Sequence, residues 1–164
     1  MGNRYRTWRL IIPVIAFLAF TAPEIPSPGA ETVCEPTKPD MLGPFYKPNA
    51  PERSSVGRGY VLSGTVKSSR DCYPIRRARI EFWLAGPDGQ YDDDHRATVV
   101  TDGSGKYRFE SNFPQPYYGR PPHIHLRVSA EGYWTLVTQH YPAKGLTGGT
   151  FDLVVTPEET PPRR

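Results

Sequence analysis

The segment ARIEFWL, Ala78–Leu84, alternates between apolar and polar side chains, and this alternation decides the fold class. Successive side chains of an extended chain point to opposite faces, so a period of two residues indicates a half-buried β-strand. The two faces of the segment hold Ile80, Phe82 and Leu84, and Arg79, Glu81 and Trp83. We therefore expect a strand whose aliphatic face lies in the core.

Six more segments on either side are short, have high β propensity and are separated by Gly- and Pro-rich turns. They are YVLSGTV (Tyr60–Val66), ATVVT (Ala97–Thr101), KYRFE (Lys106–Glu110), HIHLRVS (His123–Ser129), LVTQHY (Leu136–Tyr141) and TFDLVV (Thr150–Val155). The DGSG between the second and third of these predicts a β-hairpin. From residue 31 onward no window has the apolar period of a helix. The sequence predicts an all-β, antiparallel β-sandwich.

The first 30 residues have the pattern of an export signal. Basic residues in Met1–Arg9 precede LIIPVIAFLAF, Leu10–Phe20, an apolar run of 11 residues. Signal peptides have this order, whereas a membrane span needs about 20 apolar residues. We expect residues 1–30 to be a signal peptide and the protein to be exported, either to the periplasm or out of the cell. The alternative is an uncleaved N-terminal anchor, and we expect association with a membrane only in that case.

Composition divides the rest of the chain into three parts. Residues 31–58 are rich in Pro, Gly and polar side chains, which predicts an extended N-terminal segment. Residues 59–157 hold the predicted strands and form the β-sandwich domain. Residues 158–164 form a flexible tail.

Export also changes the interpretation of the two cysteines, Cys34 and Cys72. In an oxidising compartment an even pair is expected to form a disulfide, and two unrelated thiols are the alternative. The bridge would tie the N-terminal segment to the sandwich.

Charge argues against one class of partner. The chain carries a formal net charge of +3, of which residues 1–30 contribute +2 through three arginines and one glutamate. The remainder, at +1, lacks the basic character typical of nucleic-acid-binding proteins. We expect no nucleic-acid partner.

A pair of histidines is the first candidate for chemistry. His123 and His125 share one face of HIHLRVS, opposite its aliphatic face, so both could bind one ion. The stiff Arg120-Pro121-Pro122 before them suits a fixed site. The alternative is that both side chains simply face solvent.

Two histidines are too few ligands for a metal, and the sequence leaves the others open. His95, His140 and the acidic run 92–94 are candidates, and so are the ten tyrosines. A phenolate oxygen is a hard anionic donor that prefers a hard ion such as Fe(III). A cupin-like pattern fails, since Ser129 and Ala130 stand where its glutamate would be.

Several separated motifs, taken in order, resemble the intradiol ring-cleavage dioxygenases, the catechol and protocatechuate class with non-haem Fe(III). They are GPFY (Gly43–Tyr46), CYPIRRARIEFW (Cys72–Trp83), DGQY (Asp88–Tyr91), TDGSGKYRF (Thr101–Phe109), PQPYYGRPPHIHL (Pro114–Leu126) and TQHY (Thr138–Tyr141). The resemblance implies a prealbumin-like β-sandwich. Because the chain is short, we expect it to be without the N-terminal helical region of the cytosolic members. It is similar to the smaller, exported branch, in which a cysteine pair of this kind also occurs.

The resemblance implies a set of ligands for the iron, namely Tyr91, Tyr117, His123 and His125. By similarity, Tyr117 and His123 would be the axial pair, and Tyr117 would leave the metal and accept a proton when substrate binds. Tyr118 stands where a proline commonly follows the second tyrosine, so Tyr118 remains the alternative to Tyr117.

The resemblance also implies roles in substrate binding. Arg120 matches an arginine that stabilises charge on the bound ring, which is a catalytic and a substrate-binding role, and Gln139 matches a glutamine of the substrate and oxygen pocket. Arg53, Arg58 and Arg96 could pair with a substrate carboxylate, with plain surface charge as the alternative.

The expected activity is cleavage of a catechol-type ring with O2 to a cis,cis-muconate-type diacid. The expected partners are therefore a small aromatic diol and O2, with a second copy of the chain as a further candidate. Two other functions compete with this one. The first is a non-catalytic β-sandwich binding or carrier module, and the second is a copper or zinc protein that uses His95 or His140 as a further ligand.

Overall fold

The computed structural model describes Gly2 and residues 34–158. Apart from Gly2, the predicted signal peptide lies outside the described residues, as do residues 159–164 of the predicted tail. The described part contains strands and turns but no helix. It accordingly has no helix with the length and apolar character of a membrane span.

Eight β-strands, which we number in chain order, form the described part of the fold. They are β1 (Tyr60–Ser68), β2 (Arg79–Leu84), β3 (Arg96–Val100), β4 (Lys106–Ser111), β5 (Ile124–Ser129), β6 (Leu136–His140), β7 (Gly148–Thr150) and β8 (Leu153–Val155). An antiparallel sheet in the order β3-β2-β5-β6 carries the histidines, and we call it the site sheet. The back sheet contains β4, β1, β7 and β8. The predicted all-β sandwich is confirmed.

The core lies between the two sheets and is built from the apolar faces of the strands. Ile80 and Phe82 on β2 are fully buried, as predicted from the alternation in this segment. Phe82 stacks on Phe109 of the back sheet with a ring-centroid distance of 4.2 Å. Burial of each such side chain stabilises the fold by about 1.5–3 kcal/mol.

The predicted hairpin around DGSG is wrong, because the strands before and after the turn belong to different sheets. β3 pairs with β2, whereas β4 pairs with β1. The Thr101 amide donates to Ala78 O, and Thr101 Oγ1 accepts from the Ala78 amide, so the end of β3 stays on β2. The turn itself is closed by Asp102 Oδ1, which accepts from the Ser104 and Lys106 amides. These hydrogen bonds of Asp102 stabilise a reversal of the chain, but they do not determine which strand β4 pairs with.

The segment predicted as one strand, Thr150–Val155, is two short strands that both run parallel to β1. The break lies at Asp152, whose carboxylate accepts from the Thr65 amide and thereby takes the place of a backbone carbonyl. Gly64 is required beside this break, because a Cβ there would lie 2.1 Å from Phe151 O.

Residues 34–56 form an extended segment that we call the strap. The predicted disulfide between Cys34 and Cys72 is present, and it fixes the start of the strap to the end of β1. The strap then follows the edge of β6, where the Asp40 amide donates to Val137 O. It reaches β3 at the opposite edge of the site sheet, where the Thr98 amide donates to Pro51 O. The strap therefore crosses the outer face of the site sheet.

Candidate metal centre

Four residues in register across the site sheet define the place of the site. Arg96, Trp83, His125 and Gln139 are successive cross-strand partners on β3, β2, β5 and β6. Directly paired residues of antiparallel strands point to the same face. The row therefore lies on the outer face, opposite the aliphatic core residues of β5, as the alternation predicts.

The histidines on this face do not point to solvent. His123 and His125 are each only 2% exposed. Alternation alone would leave the outer face open to water, but the strap and the loop before β5 cover it. The alternative of two solvent-facing polar residues is therefore wrong.

The nitrogen atoms of the two imidazoles converge. His123 Nε2 lies 3.1 Å from His125 Nε2 and 3.1 Å from the Tyr91 hydroxyl oxygen. His123 Nδ1 lies 2.7 Å from the carbonyl oxygen of Pro121, which can only accept, so Nδ1 carries the proton. His123 Nε2 consequently presents its lone pair, and this is how proteins set the tautomer of a metal-binding histidine.

His125 is held by a ring and by a glycine. Its imidazole stacks on the Trp83 indole at a centroid distance of 4.8 Å and an interplanar angle of 7°. Gly43 of the strap approaches closely, since a Cβ at that position would lie 3.0 Å from His125 Cε1. Within the described residues, Nδ1 of His125 makes no hydrogen bond of normal geometry, although the Met41 backbone lies near enough to favour the protonated ring.

Phe45 of the strap positions the two tyrosine side chains. Its ring stacks on Tyr91 at 4.4 Å and meets Tyr117 edge-on at 5.0 Å. The Tyr91 and Tyr117 rings are also edge to face, at 5.4 Å. Tyr117 is half-buried in this cluster, whereas Tyr118 has a φ of 45° and is 89% exposed. The geometry favours Tyr117 as the ligand, and this assignment stays a prediction.

A cavity of about 160 Å³ lies between these groups. All four predicted ligands line it, together with Arg120 and strap residues 41 and 43–45. It is smaller than the roughly 300–1,000 Å³ of typical drug-sized ligand sites. A larger cavity of about 390 Å³ next to the strap touches Gln139 and Asp40 but contains no predicted ligand. We assign the chemistry to the smaller cavity because the candidate donor atoms are there.

The buried groups of the cavity are neutral. Burial lowers the pKa of His125 to about 3, and the nearby His123 and Arg120 charges act in the same direction. Burial likewise lowers the pKa of His123, and it raises the pKa of Tyr91 to about 12. Both imidazoles are therefore unprotonated at neutral pH and free to bind a cation. The phenol of Tyr91 would ionise there only beside a strong positive charge such as a metal ion.

The donor set fits a hard, highly charged metal. Among the described residues no group of three or more His, Cys, Asp or Glu side chains could hold an ion, so a four-ligand protein site here needs the tyrosines. Two imidazole nitrogens with two phenol oxygens suit Fe(III) better than a softer ion. Tyr91, Tyr117, His123 and His125 are the residues that could hold it.

Arg120 and Gln139 lie together at the cavity wall in a network that reaches the strap. Arg120 Nη2 donates to Gln139 Oε1 at 2.8 Å and to the Tyr141 hydroxyl at 2.9 Å. The Tyr141 hydroxyl donates to Asp40 Oδ2 at 2.8 Å, and Gln139 Nε2 donates to Met41 O at 2.6 Å. The guanidinium is thus fixed beside the candidate metal ligands.

The remaining histidines lie elsewhere. His140 points to the core face of β6, where its Nε2 lies 2.7 Å from the Tyr60 hydroxyl oxygen. His95 Nδ1 lies 2.7 Å from the Asp92 carboxylate, and neither imidazole lines the cavity. The geometry does not favour a copper or zinc site built from these residues.

Comparison with known proteins finds similarity to catechol and hydroxyquinol dioxygenases. No protein-family model matches the chain. Catechol 1,2-dioxygenase of Candida albicans is 32% identical over 146 residues, which cover 66% of this chain and 48% of that protein. Hydroxyquinol 1,2-dioxygenase of Rhodococcus opacus is 30% identical over 152 residues, covering 73% and 49%. The dioxygenase domain of a carbohydrate-binding fusion protein from Streptomyces sp. SirexAA-E matches with a TM-score of 0.67 and 29% identity, over 76% of this chain and all of that domain. The chain is therefore similar in sequence and fold to catechol and hydroxyquinol dioxygenases, over 66–76% of its length.

The coverage and the sequence identity of these matches limit the conclusions that they support. The chain spans about half the length of the curated relatives that it matches, so the activity of the whole protein is a matter for proposal. An intradiol ring-cleavage dioxygenase from Tetranychus urticae has a TM-score of 0.68 over 77% of this chain and 96% of its own, and at 20% identity it supports the fold alone.

The structure adds residues to the site that the sequence alone did not indicate. Phe45 and Gly43 belong to the quoted GPFY motif, but no role was predicted for either. The positive φ of Gly43, at 74°, has a recognisable signal in the Leu-Gly-Pro turn. Trp83 and Tyr141 carried no such signal, because their contacts with His125 and Arg120 depend on strand register and on the path of the loops.

Proposed function

We propose that the protein is an Fe(III)-dependent intradiol dioxygenase that cleaves a catechol-type ring between its two oxygenated carbons. Both atoms of O2 enter the product, a cis,cis-muconate-type diacid. One observation carries the proposal. His123 Nε2 lies 3.1 Å from His125 Nε2 and 3.1 Å from the Tyr91 hydroxyl oxygen, and the Tyr91 ring contacts the Tyr117 ring. Similarity to catechol 1,2-dioxygenase in sequence and to a dioxygenase domain in fold supports the same reaction class.

The metal and the cavity have separate tasks in this proposal. Fe(III), when bound, supplies a Lewis acid that binds and orients the two catechol oxygens. His123 and His125 are the more enclosed of the four predicted ligands, since each is almost fully buried, whereas Tyr91 and Tyr117 are half-buried. Because the cavity is only about 160 Å³, it admits a single aromatic ring and little water.

Two side chains act on the substrate. Tyr117 is half-buried and lies in the loop before β5. As the phenolate ligand of a bound metal ion it would be able to move toward solvent and accept a proton from an incoming catechol at its phenolate oxygen. Arg120 presents a fixed positive charge at the cavity wall, held by Gln139 and Tyr141. A preorganised cation of this kind stabilises negative charge that develops on the bound ring.

Oxygen consumption by iron-loaded protein, with the ultraviolet spectrum of the product, tests the proposal. We expect uptake of one O2 per catechol and a muconate-type spectrum. His125→Ala should abolish both, whereas His95→Ala, which removes an imidazole outside the cavity, should retain them. A protein that binds iron but consumes no O2 with any catechol would contradict the proposal and favour a binding or carrier module.

We propose in addition that the protein is exported. The leader sequence, with basic residues before an apolar run of 11, supports this, and so does the Cys34–Cys72 disulfide, since such bonds persist in oxidising compartments. Fractionation of the producing cells with N-terminal sequencing tests it. Recovery of an intact leader in the membrane fraction would favour the anchor instead.

A further inference from the structure

The charge at the cavity wall is balanced within the protein. Of the described residues that line the cavity, Arg120 is the one with a permanently charged side chain. Its guanidinium donates to the Tyr141 hydroxyl at 2.9 Å, and that hydroxyl donates to Asp40 Oδ2 at 2.8 Å. One phenol oxygen therefore separates the guanidinium from a carboxylate.

Asp40 is ionised at neutral pH. Burial would raise the pKa of Asp40, but hydrogen bonds from the Met41 amide and the Tyr141 hydroxyl, together with the Arg120 charge, lower it below its ordinary value. The negative charge also acts on the two histidines, where it opposes the larger effect of burial on their pKa. Asp40 does not itself line the cavity, but its charge would repel a second negative charge on the substrate ring.

The arginines that could have paired with a substrate carboxylate are engaged or placed elsewhere. Arg53 Nη2 donates to the carbonyl oxygens of Arg96, Asp93 and Asp94. Arg96 binds the Asp93 carboxylate at 2.7 Å and the Lys47 carbonyl oxygen at 2.6 Å. Neither these two arginines nor the exposed Arg58 lines the cavity. None of the three is therefore in place to bind a ring carboxylate.

The mouth of the cavity is apolar and exposed. Met41 and Tyr118 both line the cavity, yet they are 60% and 89% exposed. Tyr118 is held outward by a tight loop in which the Arg120 amide donates to Tyr117 O. Large apolar side chains that are exposed at a cavity mouth are typical of a binding surface.

From these contacts we infer that the site selects catechols whose ring substituent is uncharged. Asp40 disfavours a ring carboxylate, and Met41 and Tyr118 receive an apolar substituent that projects from the cavity. The inference rests on the proposed function, because it names the substrate class of the same site. It makes Asp40 a specificity-determining residue that acts through charge.

Two substrates that differ at one ring position test this inference. For the iron-loaded wild type, we expect kcat/KM to be at least about tenfold higher with 4-methylcatechol than with 3,4-dihydroxybenzoate. Asp40→Asn removes the charge and keeps one of the two oxygen acceptors, which bind the Met41 amide and the Tyr141 hydroxyl. It should shift this ratio toward the carboxylate by about two- to fivefold. Asp71→Asn removes the same charge from an exposed turn beside the disulfide and should leave the ratio unchanged.

A second pair of variants changes the side chain of Met41 at the mouth of the cavity. The hydrogen bonds of the Met41 backbone with Asp40 and Gln139 stay in place. Met41→Lys places a cation at the exposed mouth and should raise the relative use of 3,4-dihydroxybenzoate, whereas Met41→Gln should not. A wild type that prefers the carboxylate, or a ratio that neither Asp40→Asn nor Met41→Lys moves, would overturn the inference. Failure of the proposed function looks different, since neither substrate would then be cleaved by any variant.

Discussion

Gly43→Ala tests whether the strap shapes the metal centre. Gly43 has a φ of +74°, a left-handed conformation that costs a residue with a Cβ about 1–2 kcal/mol. The new Cβ would also lie 3.0 Å from His125 Cε1, closer than an ordinary van der Waals contact. The imidazole must move to relieve this contact, but its stacking on Trp83 leaves it little freedom. The substitution should therefore both destabilise the fold and displace a ligand.

Gly132→Ala separates the two effects. Gly132 has a φ of +78°, and a Cβ there would meet nothing within 4 Å. Both variants should lower the melting temperature of the iron-free protein, by roughly 3–6 °C per kcal/mol. Only Gly43→Ala should also weaken iron binding, by about 10- to 100-fold, as changes to groups that orient metal ligands do.

Calorimetry of the iron-free proteins and titration with Fe(III), followed by visible absorbance, give the two quantities. Equal iron affinity in the two glycine variants would refute the reasoning that the strap sets the position of His125.

Three further predictions concern the second tyrosine, the disulfide and an ion pair. Tyr117→Phe should shift the visible absorption of the iron-loaded protein and reduce turnover by at least about 100-fold, while Tyr118→Phe should change neither; the reverse result would assign the ligand to Tyr118. Reduction of the disulfide should lower the free energy of unfolding by about 2–4 kcal/mol in urea titrations, and no change would mean that the strap is held without it. Hydrogen bonds from Lys67 and Thr65 outweigh the effect of burial and lower the pKa of Asp152 below 3.8. The stability that Asp152 contributes is therefore present above pH 3.8 and lost as the pH falls through its lower folded-state pKa. The melting temperatures of wild type and Asp152→Asn should accordingly differ at pH 6 and converge near pH 2, and a constant difference would contradict this.

The sequence was most informative where a local pattern reflects a local contact. A period of two residues in β2 and β5 correctly predicted which side chains face the core, because alternation follows from strand geometry. The disulfide was predictable because the chain has two cysteines and an export-type leader.

The sequence was least informative about pairing between distant segments. The DGSG turn gave no indication that β3 and β4 join different sheets, since Asp102 closes the turn in the same way in either case. The strap shows no strand or helix period, so its course over His125 could not be read from it. Burial of the histidines depends on that course.

The candidate ligands needed a resemblance as well as a pattern. The H-x-H spacing placed His123 and His125 together, but Tyr91 lies 32 residues before His123. Only the folded chain brings its hydroxyl to the imidazole, through the loop after β2 and the stacking of Phe45. No spacing rule for a strand could have supplied that ligand.

Anomalous X-ray diffraction at the iron edge from crystals of the iron-loaded protein tests the central claim most directly. We predict one iron peak per chain, within bonding distance of Nε2 of both His123 and His125 and of the hydroxyl oxygens of Tyr91 and Tyr117. A peak bound elsewhere, or a fully iron-loaded protein with no peak in this cavity, would contradict the claim that these four side chains form the metal centre.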